Sequence, residues 1–132
     1  MHPAHAAELL SLCASLDNRT VNESTALAWA QVLPDLRMED ATTAVVEHYR
    51  EHREWIMPAD IVRGARAAVA LRIEDGLREI RAAGIPEPDG ANPWMYNGDL
   101  RRALADGLSP AEAVEYAVRA HKNQITETGE PQ

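Results

Sequence analysis

The sequence predicts an all-α fold: a small helical bundle of about four helices with a long fourth helix, then a linker and a short helical C-terminal arm. Three observations lead there. Phe is absent and aromatic residues make up only 5% of the chain, while Ala, Leu, Arg and Glu abound, a balance that favours helix over strand. Apolar residues recur at helical spacing in four successive segments. Prolines, glycines and capping residues punctuate the segments where helices should start and stop. At 132 residues the chain is long enough for one domain and a tail.

Residues 4–16 place Ala6, Leu9, Leu10, Cys13 and Leu16 on one stripe, and Asp17-Asn18-Arg19 reads as a turn. Thr20 with Glu23 three residues later matches a capping box for a second helix over 21–33. Its stripe is Val21, Thr25, Ala28, Trp29 and Val32, and Pro34 ends it. The third segment, 38–52, presents Ala41, Ala44, Val45, His48, Tyr49 and His52. In Trp55-Ile-Met-Pro-Ala-Asp-Ile61, Pro58 fits the first helical position and Asp60 the first turn, where the helix dipole favours an anion.

From Pro58 the fourth helix is predicted to run to Ala83 before Gly84, a left-handed stop. Its stripe is Ile61, Ala65, Ala68, Val69, Ile73, Leu77 and Ile80, and Gly64 and Gly76 each weaken it by roughly 1 kcal/mol relative to Ala. The predicted core is Leu10, Cys13, Trp29, Leu33, Val45, Ile61 and Val69, with Trp55 also read as core. Three prolines and a glycine in 85–93 interrupt regular structure. Two shorter helical patterns follow, at about 98–106 and from Ser109-Pro110-Ala111-Glu112, a second capping box, to about His121. The predicted organisation is therefore a core over 1–84, a linker over 85–97, a helical arm over 98–125 and a disordered tail over 126–132.

Charge narrows the function. The net charge is −8, which disfavours general nucleic-acid binding, because phosphate affinity comes from excess Lys and Arg. Residues 47–72 differ, with five Arg against four acids. Any DNA contact is expected there, through Arg50, Arg53, Arg63 and Arg66, and should be weak and salt-sensitive. Helices 38–52 and 58–70, joined by Arg53–Met57, match the order of a helix-turn-helix with Arg63 and Arg66 on the second helix. The single Cys13 lies on an apolar stripe and reads as a buried, inert thiol in a reducing compartment. Met1–His5 lacks the basic and apolar regions of a secretory leader, and no apolar run approaches membrane-spanning length, so a cytoplasmic location is expected.

One catalytic pattern is present in letters. His48-Tyr49-Arg50-Glu51-His52 matches the H-x-x-E-H arrangement of some zinc proteases, in which two His one turn apart hold zinc beside a general base. No third ligand stands out, and His48 falls on the apolar stripe. The reading is therefore no enzyme, no metal and no cofactor. The exposed-partner candidates lie further on. Trp94-Met95-Tyr96 either folds back onto the long helix or stands out as an anchor for a partner. Trp94, Tyr96, Leu100, Leu104, Val114 and Val118 together offer more apolar anchors than two short helices can bury, and form the predicted partner site.

The order Thr25…Trp29-Ala-Gln-Val-Leu33, Leu36, Ala41-Thr-Thr-Ala44-Val45-Val-Glu-His48-Tyr49 and Pro58-Ala59-Asp60-Ile61 resembles the bacteriophage helicase loader and replisome-accessory family over about residues 20–65. In that family a small helical N-terminal domain precedes a flexible C-terminal segment. The resemblance implies a protein that binds a replicative helicase in the bacterial host cell, delivers it to the origin complex and restrains it meanwhile. The tail here departs from that pattern in carrying two helical segments and an aromatic cluster.

Overall fold

The computed structural model describes residues 1–127, with side chains as far as Lys122. Among the described residues there are six helices and no strand: α1 (Pro3–Asp17), α2 (Glu23–Val32), α3 (Met38–Glu51), α4 (Pro58–Ala82), α5 (Pro93–Ala105) and α6 (Pro110–Glu127). The fold is all-α, as the helical periodicity predicts. Residues 126 and 127 lie within α6, and the rest of the predicted tail, 128–132, lies outside the described residues.

Local chemistry explains the helix ends. Asn18 closes α1 in the left-handed conformation (φ 61°), which Asn tolerates better than most residues. The start of α2 is a correction. Asn22, not Thr20, is the N-cap, and its Oδ1 accepts from the Thr25 N–H at 2.9 Å. Asn is the better cap, and Val21 is left outside the helix to pack on the core. At the start of α4 the Asp60 carboxylate accepts the Met57 N–H at 2.9 Å, satisfying a donor just ahead of Pro58. Gly84 (φ 66°) ends α4 as predicted: Ile85 N–H reaches the Ile80 carbonyl and Gly84 N–H the Arg81 carbonyl, the Schellman pattern. The Ser109–Glu112 capping box forms with both of its bonds, at 3.1 and 3.2 Å.

The fifth helix begins five residues earlier than the predicted 98. Asn92 Oδ1 accepts from the Trp94 and Met95 N–H groups, and Pro93 takes the first helical position. The aromatic cluster 94–96 is therefore the first turn of α5 and not part of a linker.

The chain forms two compact units, Met1–Val69 and the residues from Ala70 onward. The boundary falls inside α4, whereas the sequence suggested one at Gly84. The reason is what the apolar stripe of α4 packs against. In the first unit, Ile61 joins Leu9, Leu10, Cys13, Trp29, Leu33, Val45 and Ile56 in a core built on α1, α2 and α3. In the second, Ile80 is buried with Tyr96, Leu100, Leu104, Ala113 and Ala117, and Ile73 and Leu77 pack against them. Val69, predicted inside, is only half-buried, at the end of the first unit. Other stripe assignments also shift. Leu16 of α1 is 50% exposed; in α2, Val32 is 66% exposed and Ala28 is also exposed, because the chain turns Ala26, Trp29 and Leu33 inward at i, i+3 and i+7 instead.

The helical glycines of α4 mark close approaches. A Cβ on Gly64 would stand 2.7 Å from Ala44 Cβ on α3, and one on Gly76 would meet the Leu104 side chain of α5. Each unit thus uses one glycine to bring a neighbouring helix against α4.

Two stability outcomes follow from this packing. Leu33 is 2% exposed, and Leu33→Ala should lower the unfolding free energy by about 2–5 kcal/mol in chemical denaturation. The glycines should respond with opposite signs. Gly64→Ala should destabilise by about 1–3 kcal/mol through overpacking, despite the gain in helix propensity. Gly98→Ala, with nothing within 4 Å of the added Cβ, should stabilise by about 0.5–1 kcal/mol.

Candidate functional site

A cluster of hydrogen-bonded titratable side chains lies in the first unit. Asp17 and Arg19 straddle the turn after α1, and both side chains are buried. Arg19 donates from Nε and Nη2 to the Asp17 carboxylate, the shorter bond at 2.6 Å. Tyr49 of α3 donates its hydroxyl proton to the same carboxylate. Ile56, in the connection between α3 and α4, is held by both backbone groups. Its N–H donates to Tyr49 Oη at 2.9 Å and its carbonyl accepts from Arg19 Nη2 at 2.9 Å. The guanidinium also lies between two indoles, 5.3 Å from the Trp29 ring centroid and 4.9 Å from that of Trp55.

Burial alone would raise the Asp17 carboxyl. Hydrogen bonds from Arg19 and Tyr49 outweigh it and hold the carboxyl below the usual carboxylate value. Burial, reinforced by the bond to Asp17, raises the Tyr49 phenol. Every member of the cluster is engaged by another, so it acts as a clamp on the α3–α4 connection. Trp55, predicted in the core, is 55% exposed and covers the guanidinium instead.

The other candidates divide between engaged and exposed side chains. His48 Nε2 shares a hydrogen bond with the Glu54 carbonyl at 2.7 Å, while Glu51 and His52 are exposed. Among the described residues no group of three or more His, Cys, Asp or Glu is arranged to hold a metal ion. Burial pushes the Cys13 thiol up to about 11, which disfavours a nucleophilic thiolate. Of the predicted DNA-contacting residues, Arg50 pairs with Glu47 at 2.6 Å and Arg63 with Asp60 at 3.3 Å, each neutralised within its own helix. Arg53 and Arg66 are exposed. Arg72 caps α5 by donating to the carbonyls of Leu104 and Ala105. Among the described residues no helix is long and apolar enough to cross a membrane.

The second unit holds an open groove of about 640 Å³. Leu77 and Ile80 of α4, Ile85 beyond it, and Trp94, Tyr96 and Leu100 of α5 give it an apolar lining. Arg81, Glu87 and Arg101 supply its charges. The predicted partner residues divide here. Tyr96, Leu100 and Leu104 are 3%, 3% and 1% exposed, and they build the core of the unit. Val114 and Val118 pack half-buried against that core on α6. Tyr96 and Leu100 still edge the groove, but Leu104 does not. Trp94 is 87% exposed at the groove, the most exposed large apolar side chain among the described residues. The aromatic cluster therefore does both of the things open to it: Tyr96 turns inward and Trp94 outward, two positions apart on one helical turn. Ile85, Arg81 and Arg101 were missed as site residues, because only the return of α5 onto α4 brings them together.

The clamp gives the protein an acid-sensitive element. The Asp17 carboxyl sits below its ordinary value of 3.8, so its contribution is complete above about pH 4 and is lost as pH falls through the lower folded value. Thermal unfolding followed from pH 7 to pH 2 should show that loss. Asp17→Asn should be less stable by about 3 kcal/mol at pH 7, because Arg19 keeps a buried unpaired charge, and its stability should depend less on pH below about 4. Comparison of the chain with protein-family models, with curated proteins and with solved structures finds no match.

Proposed function

We propose that the chain is a non-catalytic adaptor of phage DNA replication, which binds a replicative helicase in the host cytoplasm through the groove of its second unit. The observation that carries the reading is Trp94. A tryptophan left 87% exposed beside an apolar groove loses a large hydrophobic area from water when a partner covers it. Tryptophans in such positions are common energetic anchors of protein interfaces. The engagement of the Asp17, Arg19, Tyr49 and His48 side chains by their own neighbours supports a role without chemistry. The choice of a helicase as partner rests on the resemblance of residues 20–65 to helicase loaders. The internal pairing of Arg50 and Arg63 weighs against direct DNA binding as the main activity.

The test uses the full chain. Truncation at Gly84 would strip the cover from Ile73, Leu77 and Ile80, and so would confound folding with binding. Purified chain and the replicative helicase of its phage or host should co-elute in size-exclusion chromatography. Trp94→Ala should weaken the complex by about 2 kcal/mol, close to 30-fold in Kd, with an unchanged far-UV spectrum. Equal binding by Trp94→Ala would remove the groove from the interface. No binding by the parent chain would remove the helicase as partner.

A further inference from the structure

The charges of the groove point to the kind of segment it holds. Arg81 and Arg101 approach the apolar lining from α4 and α5, against the single carboxylate of Glu87. Both arginines are exposed, and among the described residues neither is ion-paired. Arg81 donates from Nε to the Leu77 carbonyl of its own helix at 3.4 Å, and its Nη groups remain for other acceptors. This contrasts with Arg50, Arg63, Arg78 and Arg102, each beside a carboxylate within one helical turn. A locally positive groove is unusual in a molecule of net charge −8. It selects for an acidic ligand, while the field of the remaining surface repels acidic chains that lack an apolar anchor.

We propose that the groove recognises a partner segment in which carboxylates flank an apolar side chain: the apolar group packs against Trp94, Ile80 and Ile85, and the carboxylates pair with Arg81 and Arg101. The proposal rests on reading the groove as a partner site and adds the chemistry of what it reads. Guanidinium forks match carboxylates in two-point geometry, so these arginines set specificity and register. Trp94 and the aliphatic lining supply the burial that exposed ion pairs do not.

Selection from a random dodecapeptide library, with the immobilised full chain as bait, tests this. Peptides enriched on the parent chain should carry Asp or Glu within about one helical turn of Leu, Ile, Phe or Trp. The best of them, measured by fluorescence anisotropy, should bind Arg81→Gln/Arg101→Gln about three- to tenfold more weakly, and the difference should shrink with added salt. Trp94→Ala should lose binding. The exposed position of all three side chains keeps the variants folded, which far-UV circular dichroism checks. Enriched peptides without an acidic bias, equal affinity for the double Arg variant, or no enrichment at all would overturn the proposal. A dimer of the parent chain that Trp94→Ala dissociates would assign the groove to a second copy and overturn it as well. If the acidic bias fails while Trp94→Ala still weakens helicase binding, the chemistry proposed here falls and the adaptor reading stands.

Discussion

The buried pair of Asp17 and Arg19 is the constraint on which the first unit depends. Two charges held away from water are costly unless each finds a partner with good geometry. Here the carboxylate accepts from the guanidinium and from Tyr49, and the guanidinium goes on to the Ile56 carbonyl between two indole faces. The outcome is that a short polar turn after α1 fixes the connection between α3 and α4, 37 positions further along the chain. Ile56 is then fully buried, and the path of the backbone into Pro58 is determined. A hydrophobic contact alone would not specify that path, since it lacks direction. The hydrogen bonds to both backbone groups of Ile56 supply it.

α4 gives the two units their separate cores from one helix. Its N-terminal part contributes Ile61 to the first and its C-terminal part contributes Ile80 to the second. Gly64 and Gly76 are poor helix formers by propensity, and by propensity alone both look like weaknesses. Their lack of a Cβ is what lets Ala44 and Leu104 approach. Arg72, which composition groups with the basic stretch 47–72, is instead a cap for the last carbonyls of α5. Propensity and charge counts misjudge these three residues for one reason: each acts on a neighbour twenty or more positions away.

The groove arises from helix termini. Asn92 and Pro93 fix where α5 begins, so the first turn presents Trp94 on one side and Tyr96 on the other. Gly84 turns the chain sharply after α4, which places Ile85 and Glu87 along the same groove as Arg81. The burial of Tyr96, Leu100 and Leu104 supports the unit and leaves a single tryptophan outside it. The groove thus sets an exposed tryptophan and two arginines that form no ion pair among the described residues beside a buried apolar core.

What the sequence determined by itself was local. The helices, the stop at Gly84, the Ser109–Glu112 box and most of the first core were readable, because caps and apolar periodicity act between residues three or four apart. The start of α5 was equally local, and Asn92-Pro93 signalled it, but the neighbouring prolines masked the signal. The tertiary structure alone decided which face of α2 is buried, that Trp55 covers a guanidinium and does not enter the core, and that the cores divide within α4. It also decided that Trp94 and Tyr96 part company, and that Arg81 and Arg101 meet at one groove. These outcomes depend on helices packing across long separations in the chain, where the burial of one face is settled by competition with every other apolar surface, and no short pattern encodes the result of that competition.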